Sequence, residues 1–147
     1  MRIVLDTNVL VRANVKAQGP AREILLKIAY GRHVLITSPF LLREVERVLA
    51  YPRLQKLWSL SLADIQEHLQ FLSRISDLVH PVPGESVILD DPTDNAVIYT
   101  AVAGKADTLC TLDRHFFAPE VVAFCEKRGI AVSNDVELLR QLTGTHA

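Results

Sequence analysis

The feature that most constrains the fold of this chain is the alternation of short, apolar, β-branched runs with longer amphipathic segments of helical period. Such an alternation is typical of a parallel sheet whose strands are connected through helices. The first run, Arg2–Leu5, is short and apolar, as a buried central strand of such a sheet would be. The pattern predicts an α/β fold in which helices cover both faces of a central parallel sheet.

Periodicity and helix-capping residues give the predicted element order. Strands are predicted at 2–5, 33–37, 107–111 and 130–132, with a weak candidate at 79–82 that Pro81 interrupts. Helices are predicted from Pro20 to Gly31, from Ser38 to before Pro52, from Ser61 to Ile75, from the acidic cluster 90–94 to Gly104, over 119–127, and after Asn134. The apolar stripe of the helix that starts at Ser61 could serve a dimer, but its helical spacing favours packing into the core.

Length and composition predict one globular domain spanning residues 1–147. The sequence has 147 residues, of which 49% are hydrophobic and 22% charged, and it contains no internal repeat or linker. The formal net charge is −1, so no global basic field is available for binding nucleic acid or an anionic membrane. Any polyanion must be held by a local patch or through a metal.

Cysteine usage and hydropathy indicate where the protein resides. Its two cysteines, Cys110 and Cys125, show neither zinc-ligand spacing nor a disulfide framework. The N-terminal apolar run is too short for a signal-peptide core, and no later run approaches the length of a membrane span. We expect a cytoplasmic protein that does not interact with a membrane.

Four carboxylates fall where a parallel sheet binds ligands, beyond the carboxyl ends of its strands. Asp6 and Asp113 directly follow predicted strands, Asp94 lies in the first turn of a helix, and Glu44 lies in the helix after the second strand. Clustered carboxylates repel one another unless a cation lies between them, and hard cations such as Mg²⁺ and Mn²⁺ prefer oxygen ligands. The pattern suggests an acidic cleft suited to metal-dependent phosphodiester hydrolysis.

Each of these acids also has an ordinary interpretation. An Asp after a strand is often a helix cap or the first residue of a turn, and an Asp in a first helical turn complements the helix dipole. Glu44 and Glu46 flank the apolar stripe of their helix about equally, so helical geometry does not choose between them. The residues alone leave both interpretations open.

Taken together, four ordered motifs are similar to the sequence blocks of PIN-domain proteins. The motifs are 3–10 (IVLDTNVL), Ser38-Pro39 leading into 44–49 (EVERVL), 91–95 (DPTDN) and 111–116 (TLDRHF). The chain most resembles the prokaryotic VapC-like toxins, and the resemblance covers essentially its whole length. It implies a three-layer α/β/α PIN-like domain with a Mg²⁺- or Mn²⁺-dependent ribonuclease site. It also implies an RNA substrate, a homodimer and a cognate antitoxin protein.

The resemblance assigns roles to individual residues. The catalytic, metal-binding acids it implies are Asp6, Glu44, Asp94 and Asp113. Thr7, Asn8 and Thr111 match polar positions that would orient carboxylates and water by hydrogen bonds. His115 stands where some relatives carry a further acid, which leaves open whether one or two metals bind. His115 could contact a phosphate or a metal-bound water, but beside two phenylalanines it is more often a packing residue.

Substrate contacts and competing functions complete the predictions. Arg12, Lys16 and Arg114 are the basic residues nearest the acids in sequence and are candidates for gripping the RNA backbone. A small-molecule phosphatase with a nucleophilic Asp6 would need a second acid two residues later, where this chain has Asn8. The glycine-rich loops of nucleotide-binding folds are absent. A non-catalytic RNA- or partner-binding module of the same fold remains the main alternative.

Overall fold

The computed structural model of the protein describes residues 1–82 and 92–144. Asp90 and Asp91, which belong to the predicted helix start and to the third motif, lie outside the described residues. No helix of the described part of the chain is long and apolar enough to cross a membrane.

A five-stranded, fully parallel sheet forms the centre of the structure, as the sequence predicts. Its strands are β1 (Arg2–Leu5), β2 (Val34–Thr37), β3 (Ser76–Leu78), β4 (Thr108–Cys110) and β5 (Ala131–Ser133). They lie in the order β3-β2-β1-β4-β5, and β1 is central. In the register between β1 and β4, Leu5 pairs with Cys110.

Helices connect these strands, and sequence-predicted caps begin several of them. The helices are α1 (Thr7–Arg12), α2 (Pro20–Ala29), α3 (Pro39–Leu49), α4 (Pro52–Trp58), α5 (Leu62–Ile75), α6 (Pro92–Ala103), α7 (Pro119–Glu126) and α8 (Asp135–Gly144), with a short 3₁₀ helix at Arg114–Phe117. Ser38 caps α3, Ser61 and Asp64 form the predicted capping box of α5, and Asn134 accepts a hydrogen bond from the backbone of Glu137 at the start of α8.

Two apolar clusters on opposite faces of the sheet make the three layers. Because successive side chains of a strand point to opposite faces, Ile3 and Leu5 pack into one cluster and Val4 into the other. The first cluster draws its helical residues from α1, α2, α3, α5 and α8. The second draws on α6, α7, the 3₁₀ helix and Leu41 of α3. The predicted α/β/α architecture is confirmed.

Strand order places a crevice beside the predicted acids. The chain runs from β1 outward to β2 and β3, then crosses to β4 on the other side of β1. Connections therefore diverge between β1 and β4, and ligands of open α/β sheets bind at such a point. Asp6 follows β1 and Asp113 follows β4 after Thr111 and Leu112, so these two acids flank the crevice.

The structure corrects the predicted third strand and adds three helical segments that the sequence did not predict. The third strand is Ser76–Leu78 and not 79–82, because α5 leads directly into an edge strand whose last two residues are exposed, while Pro81 cannot donate to a ladder. Helices α1 and α4 were not predicted, and neither was the 3₁₀ helix. On α5, Leu62 is 75% exposed and is not part of the core face, whereas His68 is fully buried.

Candidate metal centre and cleft

The four predicted acids Asp6, Glu44, Asp94 and Asp113 all line one cleft at the carboxyl edge of the sheet. The cleft has a volume of about 800 Å³. Strand ends supply Asp6 and Asp113, while α3 and the first turn of α6 supply Glu44 and Asp94. Residues far apart in sequence therefore meet in one acidic pocket.

Asp6 is the most buried of the four, with 5% of its surface exposed. Its Oδ1 accepts a hydrogen bond from the Thr7 backbone nitrogen at 2.7 Å, so Asp6 is also the cap of α1. Burial raises the pKa of Asp6, hydrogen bonds from Thr111 and Thr7 oppose that rise, and the negative charge of Asp113 adds to it. The Asp6 carboxylate thus caps a helix and also lines the cleft.

Thr111 connects the two acids that flank the crevice. Its buried hydroxyl donates to Asp6 Oδ2 at 2.7 Å and accepts from the Asp113 backbone nitrogen at 3.0 Å. Asn8 accepts a hydrogen bond from the Leu112 backbone nitrogen at 3.3 Å, which ties α1 to the same segment. Thr111 and Asn8 thus form contacts of the orienting kind that the resemblance implies.

A group of three residues at the cleft has the spacing of metal ligands. One ligand atom each of Asp94, Asp113 and His115 lies within 4.8 Å of the other two. His115 Nδ1 is 3.1 Å from Asp113 Oδ1, and the His115 side chain is 69% exposed. The interpretation of His115 as a packing residue is therefore wrong, because the ring lies in solvent beside a carboxylate.

Glu44 enters the cleft already paired with a cation. Arg47, one turn further along α3, donates to both carboxylate oxygens of Glu44, at 3.3 Å through Nε and 2.8 Å through Nη2. Arg47 also hydrogen-bonds the hydroxyl of Tyr51. Glu46 is exposed and is not part of the cleft wall. The structure thus separates the two glutamates that helical geometry left equivalent, and only Glu44 faces the other acids.

Basic residues of the cleft wall differ from those predicted. Arg12 lines the cleft, but Lys16 and Arg114 do not. Arg53 and Lys56 of α4 line it instead, and neither forms an ion pair with another residue of the described ranges. Helix α4 also contributes part of an apolar wall made of Val11, Val48, Leu54, Leu57 and Trp58. The sequence feature that could have identified α4 is Pro52, because proline is as typical of a first helical turn as of a position after a helix.

The donor atoms of the cleft fit a hard divalent cation. Carboxylate oxygens dominate, and the Thr7 hydroxyl oxygen at the cleft is buried without a hydrogen-bond partner among the described residues. Burial and nearby acids raise the pKa of the Cys110 thiol to about 12, and this thiol does not line the cleft. Asp6, Glu44, Asp94 and Asp113 are the side chains that would hold such an ion.

Comparisons with known proteins point to one family. The family model for the PIN domain matches residues 2–115. The fold is similar to that of a chain in the crystal structure of VapBC2 from Rickettsia felis bound to a DNA fragment from their promoter, with a TM-score of 0.58 and 17% sequence identity over 91% of this chain and 98% of that chain. No curated protein matches the sequence. At this low identity the structural similarity demonstrates a shared fold.

Proposed function

Since this chain belongs to the PIN domain family, we propose that it is a Mg²⁺- or Mn²⁺-dependent ribonuclease that acts as the toxin of a toxin-antitoxin pair. The observation that carries the proposal is the meeting of Asp6, Glu44, Asp94 and Asp113 in one cleft. Carboxylates that converge on one cleft repel one another unless cations offset their charge, and although Arg47 pairs with Glu44, the convergence of the four acids supports a metal centre. The family supports nucleic acid as the substrate.

The chain's own residues divide into holding and positioning groups. Asp6, Asp94 and Asp113 would hold the ion, and the hydroxyl of Thr111 fixes the Asp6 carboxylate through its 2.7 Å hydrogen bond. When bound, such an ion activates a water and neutralises charge on the scissile phosphate. Glu44, which Arg47 holds, would complete the metal site or orient the attacking water through a carboxylate oxygen.

Charge along the cleft supports a nucleic-acid backbone as ligand. The wall of the cleft carries the cationic side chains Arg12, Arg53 and Lys56 as well as the four acids. Since the net charge of the chain is −1, these local cations are what would hold flanking phosphates close to the acids. The apolar part of the same wall, which includes Trp58, offers a surface for a base or for an apolar side chain.

Partners and compartment follow from the same proposal. The similar fold comes from the structure of VapBC2 bound to a DNA fragment from their promoter. Together with the motif resemblance to VapC-like toxins, this similarity leads us to infer that the chain has a cognate antitoxin protein. A second copy of the chain as a partner, and residence in the cytoplasm, stay predictions. Both cysteines are free and buried, which is compatible with a reducing compartment.

Cleavage of RNA by the purified full chain tests the proposal. A structured and a single-stranded RNA are incubated with the protein in EDTA, Mg²⁺ or Mn²⁺, beside an Asp94→Asn variant purified identically. We expect cleavage that requires the divalent ion and is lost in the variant. Cleavage that survives EDTA, or that the variant retains, would indicate a contaminating nuclease and contradict the proposal. Retained metal binding without cleavage of either RNA would favour the non-catalytic module.

A further inference from the structure

His115 sits at the rim of the acidic cleft and directs its ring at Asp113. It belongs to the 3₁₀ helix that begins directly after Asp113, and its side chain is 69% exposed. Because packing does not position a ring this exposed, the contact of its Nδ1 with the Asp113 carboxylate determines its orientation. Of the histidines in the described ranges, only His115 belongs to a group of side chains with metal-ligand spacing, together with Asp94 and Asp113.

The distance from His115 to Asp113 matches that between neighbouring ligands of one ion. His115 Nδ1 lies 3.1 Å from Asp113 Oδ1. Neighbouring ligands of an octahedral ion with bonds of about 2.1 Å are about 3.0 Å apart. The His115 backbone nitrogen also donates to Asp113 Oδ1 at 2.9 Å, which fixes the loop and keeps the ring beside the carboxylate. The His115 imidazole is thus held beside Asp113 at the separation that two ligands of one ion would have.

We propose that His115 is a metal ligand beside Asp94 and Asp113, and that its nitrogen makes the centre select a first-row transition dication over Mg²⁺. This inference rests on the proposed function, because it refines which ion that centre takes. Mg²⁺ binds oxygen ligands and gives up its water reluctantly. Imidazole nitrogen favours the later first-row ions, whose affinities rise from Mn²⁺ through Co²⁺ to Ni²⁺. Replacing one oxygen ligand by His115 therefore raises the affinity for Co²⁺ relative to Mg²⁺.

Binding of the metals alone, without RNA, tests the inference. The full chain is stripped with EDTA, desalted, and titrated with MgCl₂ and with CoCl₂ in a calorimeter, while visible absorption records the ligand field of bound Co²⁺. The variants are His115→Asn and His115→Asp, with His80→Asn as the matched control because His80 is also exposed but lies outside the group. Circular dichroism checks that each variant folds, which the exposure of both rings leads us to expect.

The expected result is a change in metal preference. His115→Asn should weaken Co²⁺ binding by about 10- to 100-fold and shift the Co²⁺ absorption bands, while Mg²⁺ binding changes by less than about 3-fold. His115→Asp should bind Mg²⁺ at least as tightly as the natural chain and lose the preference for Co²⁺. His80→Asn should behave like the natural chain.

Three results would contradict the inference, and they can be told apart. If the natural chain binds and uses a divalent ion, but His115→Asn leaves the ratio of Co²⁺ to Mg²⁺ affinity unchanged, this inference fails and the proposed ribonuclease stands. If the natural chain binds neither ion, the metal centre itself is wrong and the proposed function fails with the inference. An equal loss of both ions in His115→Asn also overturns the inference, since a selective ligand would affect Co²⁺ more.

Discussion

Replacing Thr111 by valine should weaken both the fold and the metal centre. The side chain is fully buried, and its hydroxyl is 2.7 Å from Asp6 Oδ2 and 3.0 Å from the Asp113 backbone nitrogen. Valine has nearly the same shape but makes neither hydrogen bond. A hydrogen bond to a charged group contributes more than one between neutral groups, so we expect Thr111→Val to lower the free energy of unfolding by about 2–3 kcal/mol.

Loss of this hydroxyl should also change the chemistry of Asp6. The Thr111 hydrogen bond lowers the pKa of Asp6 against the rise that burial causes. Without that bond the carboxylate binds a proton more readily and is free to rotate. We therefore expect affinity for Mg²⁺ or Mn²⁺ to fall by about 10- to 100-fold, as is usual when the partner of a ligand is removed.

Urea unfolding followed by circular dichroism, and calorimetric metal titration, measure the two effects. Thr111→Ser keeps the hydroxyl and should retain metal affinity while losing about 1 kcal/mol for the missing methyl group. Thr108→Val is the matched control, because its buried hydroxyl on β4 bonds only the neutral groups Ala131 O and Ser133 Oγ. If Thr111→Val unfolds within about 0.5 kcal/mol of the natural chain and binds metal equally well, the reasoning is refuted.

Three further predictions concern stability. Burial lowers the pKa of His68 below 6.5, so on acidification the unfolded chain binds a proton at this residue before the folded chain does. The free energy of unfolding should therefore fall as the pH drops below 6.5. Urea unfolding at pH 7 and pH 5 should show a smaller fall in that free energy for His68→Gln than for the natural chain. A Cβ at Gly104 would lie 2.5 Å from Ile36 Cγ2, so Gly104→Ala should lower the free energy of unfolding by about 1–3 kcal/mol in the same assay. A Cβ at Gly144 would meet nothing within 4 Å, so Gly144→Ala should leave that free energy nearly unchanged. Mn²⁺ at 100 times its dissociation constant should add about 2.7 kcal/mol to the unfolding free energy of the natural chain, but Asp113→Asn should gain little at the same concentration.

The sequence predicted the parts of the fold that bury apolar residues. The inner strands β1, β2 and β4 and the longer helices could be found because their apolar residues recur at the spacing that burial requires. Strand β3 could not be found this way, since it lies at the sheet edge and its residues 77 and 78 are exposed. Helix α4 has no fully buried residue, and its apolar residues Leu54, Leu57 and Trp58 cover a single turn, which is too short a pattern to predict a helix.

The same distinction between buried and exposed elements decides which residues of the candidate site the sequence could place. Asp6 and Asp113 could be placed from the sequence because each follows a buried strand, and strand ends meet at one edge of a parallel sheet. Glu44 could not be separated from Glu46 by helical geometry; the motif resemblance and then the cleft separated them. Arg53 and Lys56 were missed because α4 was missed, and their place in the same cleft as the acids depends on tertiary contacts.

The rate of RNA cleavage in single-residue variants tests whether the acids of this cleft act together. Under saturating divalent ion, Asp6→Asn, Glu44→Gln, Asp94→Asn and Asp113→Asn are compared with Glu46→Gln. Glu46→Gln removes a carboxylate from the same helix as Glu44, but outside the cleft. We predict that each of the four variants loses at least about 100-fold in rate, while Glu46→Gln stays within about 2-fold of the natural chain. Four variants that fold and cleave RNA as fast as Glu46→Gln would contradict the assignment of the cleft as the catalytic centre.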